Sequence, residues 1–133
     1  MIVLDTHALI WWVSEPSRIP ERARRLLDSA VERRTPVGVS AISIWEVAML
    51  VARDRLAFTM SADLWISHVE ALPFLTFLPV DNRIAVRSVH LVGFPNRDPA
   101  DRIIAATALG VDATLVTADA QLRAYAPLKT TWD

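Results

Sequence analysis

Short apolar, β-rich runs alternate with longer helical segments along the whole of this chain of 133 residues, and that alternation leaves few architectures open. The strand-like runs are Ile2 to Leu4, Val37 to Ser40, a stretch within Phe74 to Val80, Thr114 to Thr117, and Lys129 to Trp132. Helical signals fill the gaps. In the helix that starts at Thr6, Ala8 to Val13 is apolar all round, which demands burial on more than one side. Pro20 opens a second helix running to about Arg34, with Ala23, Leu26, Leu27, Ala30 and Val31 as its stripe and five arginines on its solvent-facing sides. A third runs from Ser40 to Arg53, with Ile42, Trp45, Met49 and Ala52 as the face laid on the sheet. Ser61, Asp81 and Asp98 have the side chains of N-caps, and Pro99 suits a first helical position. Gly110 reads as the stop of the Asp98 helix. A short helix around Leu122 and Tyr125 precedes the last strand. Strands separated by helices throughout predict one α/β domain over residues 1–133, a three-layer α/β/α sandwich around a mostly parallel sheet.

That architecture gives meaning to where the acids fall. Asp5 and Asp119 each follow a buried strand, and in open α/β sheets the carboxyl edge is where ligands bind. Glu46 and Asp101 lie near the amino ends of helices that start at the same edge. Each has a structural alternative: Asp5 can cap the helix at Thr6, Asp101 suits a first turn, and Glu46 has capping-box spacing from Ser43. A helix start at Ser40, directly after the strand, puts Glu46 in the second turn, too deep for that box. Four carboxylates converging without lysine raise one another's pKa, and a divalent cation relieves the repulsion. Hard oxygen donors, zero cysteines and histidines without ligand spacing point to Mg²⁺ or Mn²⁺ rather than zinc. Phosphodiester hydrolysis is the chemistry such a centre suits.

Composition restricts the surroundings of that chemistry. The formal charge is −1, so nucleic-acid contacts must come from local clusters rather than a global basic field. Thirteen of the fourteen basic residues are arginine, the better fork for phosphate. The apolar start meets Asp5 at once, leaving no room for a cleavable leader, and no apolar run approaches bilayer length, so the expectation is a soluble, cytoplasmic protein. A hydrophobic share of 53% suggests that other chains cover part of the surface, as a homodimer and as a partner segment near Trp11 or Trp12.

Four pieces in order, Asp5-Thr-His-Ala-Leu-Ile-Trp-Trp, Val39-Ser-Ala-Ile-Ser-Ile-Trp-Glu46-Val-Ala, Arg97-Asp-Pro-Ala-Asp101-Arg-Ile-Ile-Ala-Ala-Thr-Ala and Leu115-Val-Thr-Ala-Asp119, resemble the PIN-domain ribonucleases. Within that family they resemble the VapC-type toxins of toxin–antitoxin pairs. The resemblance implies an acidic quartet of Asp5, Glu46, Asp101 and Asp119 binding Mg²⁺ or Mn²⁺, with Ser40 and Thr117 as small polar supports; Asp98, the helix cap three residues before Asp101, is read as a further supporting residue. It also implies an RNA substrate, homodimerisation and a cognate antitoxin. Two other classes fit parts of the pattern. A phosphoacceptor receiver also gathers acids at strand ends, with Lys129 imitating its late lysine. A non-catalytic interaction module would use the acids only as helix caps.

Overall fold

A computed structural model describes residues 1–133. Five strands, β1 (Ile2–Leu4), β2 (Val37–Ser40), β3 (Leu75–Leu78), β4 (Thr114–Val116) and β5 (Lys129–Thr131), form one sheet in the order β3-β2-β1-β4-β5. Every pairing is parallel, a stronger result than the mostly parallel sheet expected. β1 is central, and its three side chains are buried, as are all four of β2. Such two-sided burial explains why these runs are continuously apolar rather than alternating. Gly38 in β2 is there for closeness, since a Cβ at that position would stand 2.8 Å from Leu78 Cδ1 on β3.

Seven helices cover the two faces: α1 (Thr6–Ser14), α2 (Glu21–Glu32), α3 (Ala41–Ala52), α4 (Ala62–Glu70), α5 (Asn82–Val89), α6 (Pro99–Gly110) and α7 (Ala120–Ala124). Their starts obey local chemistry. The side chains of Asp5, Ser40, Ser61, Asp81, Asp98 and Asp119 all accept hydrogen bonds from first-turn backbone N–H groups. One core, under α1, α2 and α4, contains Leu4, Leu9, Ile10, Leu27, Val37, Val47 and Trp65. The other lies between the sheet, α6 and α7, around Val3, Ile104, Ala105, Ala108, Leu115 and Leu122. Small residues in α6 let that helix sit close to the sheet.

Three expectations fail: Val31, expected in the buried stripe of α2, is 38% exposed because it lies at the margin of the face formed by Ala23, Leu27 and Ala30, and the other two concern α3 and α6. The buried face of α3 is Ser43 and Val47, with Ile44 half-buried beside them, whereas Trp45 is 57% exposed. α3 is apolar on nearly every side, so periodicity alone does not choose its inner face. Gly110 is not the left-handed stop of α6; it is the last helical residue, and Asp112 takes the positive φ of 50°. Its missing side chain serves packing instead, because a Cβ there would meet Ile84 Cδ1 of α5 at 3.2 Å. No helix is long and apolar enough to cross a membrane.

Candidate active site

β1 ends at Leu4, and Asp5 is the first residue beyond it, 7% exposed, with every polar atom engaged. Its Oδ1 accepts the N–H of Ala8 at 2.8 Å, and its Oδ2 accepts the hydroxyl of Thr117. Thr117, the residue after β4, uses the same oxygen to accept the N–H of Asp119 at 3.0 Å. Asp119 in turn caps α7 through Oδ1, accepting from Gln121 at 2.8 Å and Leu122 at 3.2 Å. The carboxyl ends of the two central strands are therefore tied together through one hydroxyl.

The helix-borne acids approach from the other side. α3 begins on Ser40, whose Oγ accepts the Ile42 N–H at 3.2 Å, so Glu46 stands in the second turn, beyond capping-box reach. Ser43, which that box would need, is buried and its Oγ accepts the Thr6 hydroxyl at 3.0 Å. Ser40 is thus a buried helix cap at the strand edge and does not line the cleft. On α6, Asp98 caps the helix by accepting the Asp101 N–H at 3.1 Å. The Asp101 carboxylate accepts instead from Asn96, whose Nδ2 lies 3.1 Å from Oδ2 and 2.9 Å from Gln121 Oε1. Asn96 also accepts the Asp98 N–H at 3.0 Å, while Arg102 bonds its carbonyl at 3.1 Å. Sequence reasoning passed over Asn96; the signal available was an Asx-turn residue two positions before a helix cap.

One cleft of about 420 Å³ is lined by Asp5, Glu46, Asp98, Asp101 and Asp119 together with Thr6, His7, Trp11, Ile104 and Ala118. All four acids read from the sequence open onto it. None is in an ion pair, since the salt bridges of the molecule involve Glu15, Glu21, Asp112 and Asp133. Burial drives the Asp5 carboxyl up to about 6 and nearby Asp119 adds to the rise, although the Thr117 and Ala8 bonds and the proximity of His7 oppose it. Burial likewise raises Asp101 to about 7, reinforced by Asp98, Asp119 and Glu46 and opposed by the Asn96 amide. Burial is the larger cause of both shifts, and neighbouring carboxylates without a counter-charge add to it, most of all at Asp101.

The donor set is all oxygen, which fits a hard divalent cation such as Mg²⁺ or Mn²⁺. As the side chains stand, no three acids are gathered tightly enough to grip one ion. His68 and His90 are exposed and remote from the cleft lining, and His7 stands in it alone among histidines. The receiver reading loses its lysine: Lys129 pairs in register with Thr114 at the amino edge of the sheet, opposite the acids, and binds Asp112 at 3.2 Å.

The PIN-domain profile matches residues 2–128. The chain belongs to the PIN-domain family. It is 31% identical over 124 residues to Ribonuclease VapC22 of Mycobacterium tuberculosis, a match covering 93% of this chain and 91% of that relative. Among solved structures, this PIN domain is similar to FitAcB from Neisseria gonorrhoeae, with 28% identity and a TM-score of 0.68 over 98% of this chain and 96% of the other. In fold it also matches VapBC2 from Rickettsia felis bound to a DNA fragment from their promoter, with 18% identity and a TM-score of 0.72 over 100% of both chains.

Adjacent tryptophans of this PIN domain face different surroundings. Trp11 lines the acid cleft. Trp12 lies in a separate groove with Val13, Val31, Leu72 and Phe74, its ring 5.0 Å from that of Phe74.

Proposed function

We propose that this PIN domain is a divalent-metal-dependent endoribonuclease and the toxin of a toxin–antitoxin pair. The observation that carries the chemistry is the convergence of Asp5, Glu46, Asp101 and Asp119, unpaired with any cation, in one cleft at the carboxyl edge of a parallel sheet. The relationship to a VapC ribonuclease supports RNA as the substrate. A bound Mg²⁺ or Mn²⁺ would activate water and offset the charge developing on the phosphodiester.

The chain's own residues have distinct parts in this reading. Asp5, Asp101 and Asp119 would hold the ion, and Asp98 adds negative charge beside Asp101. Thr117 aims the Asp5 carboxylate, and Ser40 anchors the start of the helix that carries Glu46. Asp5, Asp101 and Asp119 are each bonded to protein donors, whereas Glu46 has no such tie and is free to orient or deprotonate the attacking water. Because burial raises both carboxyls, a cation would compete with protons at Asp5 and Asp101, and its affinity would rise with pH.

The partner reading is a homodimer and a cognate antitoxin. It is supported by the similarity to a toxin–antitoxin complex from Klebsiella pneumoniae, with 25% identity and a TM-score of 0.60 over 93% of this chain and 91% of the other. Exposed apolar side chains are available for such contacts, with Val86, Val89 and Val92 57%, 71% and 87% exposed.

Purified, partner-free protein is expected to cut RNA internally with Mg²⁺ or Mn²⁺ and to stop in chelator. Cleavage that persists in chelator would overturn the metal-dependent reading. A melting temperature that added Mn²⁺ leaves unmoved, in a protein without cleavage, would favour the interaction module.

A further inference from the structure

A polyanion approaching four carboxylates needs something on the cleft wall that attracts it, and the net charge of −1 supplies no general field. The wall formed by α1, with the 3-10 turn Pro16–Arg18 beside it, has two features suited to this. His7 is exposed and Trp11 half-buried; both line the acid cleft, with ring centroids 5.6 Å apart and planes tilted by 53°. Trp132, at the end of β5, backs the indole at 5.7 Å. The guanidinium of Arg18 lies 4.3 Å from the Trp11 ring centroid. Its only ion pair is a loose one with Glu15 at 3.7 Å, both side chains being more than half exposed. An exposed pair of that kind contributes little, so a phosphate can displace it without a large loss.

We propose that His7, Trp11 and Arg18 form the substrate wall of the acid cleft, where a nucleobase of single-stranded RNA stacks on the His7–Trp11 surface while Arg18 takes an adjacent phosphate. The proposal deepens the ribonuclease reading and rests on it for the identity of the substrate. Base–aromatic stacking tolerates any sequence, because every base has a π-face, and Arg supplies the backbone contact that stacking lacks. The two contacts together hold the strand against the wall and leave the neighbouring phosphodiester over Asp5 and Asp101. His7, Trp11 and Arg18 are positioning residues in this scheme; none takes part in bond cleavage.

The test measures binding apart from cleavage. In an Asp101→Asn background with Mg²⁺, a fluorescein-labelled 12-nucleotide single-stranded RNA and an abasic strand of the same length are titrated and followed by anisotropy. Trp11→Leu and His7→Ala are each expected to weaken the intact strand about tenfold while leaving the abasic strand unchanged. Trp11→Phe retains binding. Arg18→Gln weakens both strands and lowers the slope of log affinity against log salt by about 0.7, the loss of one phosphate contact to a single strand. Arg22→Gln, an exposed arginine on α2, changes neither strand. Because His7 and Arg18 are exposed, their variants report even if Trp11→Leu disturbs the fold. The wall is refuted if His7→Ala and Arg18→Gln both bind within twofold of the background protein, the result expected were a peptide its true occupant, or if that protein binds no strand. Cleavage by the unaltered chain judges the ribonuclease reading separately. Cutting with unchanged variant binding removes the wall alone, and impaired variant binding without any cutting removes the nuclease alone.

Discussion

The two sides of the acid cleft are built in opposite ways. On the strand side, Asp5, Thr117 and Asp119 form a continuous chain of hydrogen bonds at the ends of β1 and β4, with Asp5 and Thr117 buried. On the helix side, Glu46 has no tie to a protein donor, and Asp101 is held by a single amide from Asn96. The difference separates two tasks that an acidic centre combines. One half is placed by the sheet as part of folding; under the proposed function the other half is left free for cation binding at Asp101 and water activation at Glu46. Substitutions on the two sides should therefore fail differently.

The largest effect is expected where an acid is lost without structural cost. Glu46→Gln should reduce Mn²⁺-supported cleavage by about a hundredfold or more while shifting stability by less than about 0.5 kcal/mol. Asp101→Asn should reduce cleavage as far, leave the metal-free fold as stable or more stable because it removes a carboxylate whose charge the cleft disfavours, and weaken the rise in melting temperature that Mn²⁺ confers. Near-normal cleavage by Glu46→Gln would break the division, leaving the helix side without chemical work.

Titration gives the next largest effect and has a definite sign. A carboxyl raised from 3.8 to about 6 in the folded state keeps its proton where the unfolded chain has lost it, so each unit of rising pH in that window costs stability. Metal-free protein should therefore lose stability between about pH 4 and pH 7, the upper end set by Asp101 at about 7. Asp5 accounts for about 3 kcal/mol of that loss. Mn²⁺ should reverse the trend, stabilising more as pH rises. Melting curves in chelator and in Mn²⁺ from pH 4 to 8 test both halves, with Asp5→Asn expected to reduce the metal-free slope below about pH 6 and to leave the part due to Asp101.

Thr117→Val sharpens the contrast from the strand side. It strands one Asp5 oxygen and the Asp119 N–H together, and should cost about 1–3 kcal/mol. Asp5 loses a bond that holds its pKa down, so the pH at which Mn²⁺-dependent cleavage reaches half its maximum should move upward. Cleavage unchanged in rate and pH profile would show that Thr117 only stabilises the fold.

The smallest effect belongs to Asp98. Its carboxylate caps α6, and Asp98→Ala should cost about 0.5–2 kcal/mol with a modest fall in cleavage. If Asp98→Ala instead removes cleavage and the Mn²⁺ response while Asp101→Asn retains both, the third acid of the quartet is Asp98.

Much of this arrangement was legible in the residues because local rules and long-range placement agree. Asp98-Pro99 marks a helix start by chemistry that acts within one turn, and an apolar run ending on Asp5 marks a buried strand meeting a sheet edge. A helix start at Ser40 was legible from the strand before it, and that start separates Glu46 from the capping box. What was hidden depends on contacts between distant parts of the chain. The inner face of α3 is chosen by what packs on it, since a helix with apolar residues all round offers no stripe to read. Asn96 matters because Gln121, 25 residues away, and Asp101 meet at its amide. The separate surroundings of Trp11 and Trp12 follow from the path of α1 between the acid cleft and the Phe74 groove, which no local pattern encodes.

The hydroxyl of Thr117 joins residues 112 positions apart, and this bears on what happens during synthesis. β1 is the first strand to be made, yet it lies in the middle of the sheet and waits for β4 to fill its second edge. A nascent chain that has emerged only as far as α5 carries Asp5 and Glu46 but lacks Asp101, Asp119 and the threonine that aims the first of them. Under the proposed chemistry such a fragment is inert, so the ribosome making this protein is not exposed to its cutting activity until the stretch carrying Thr117 and Asp119 has been made.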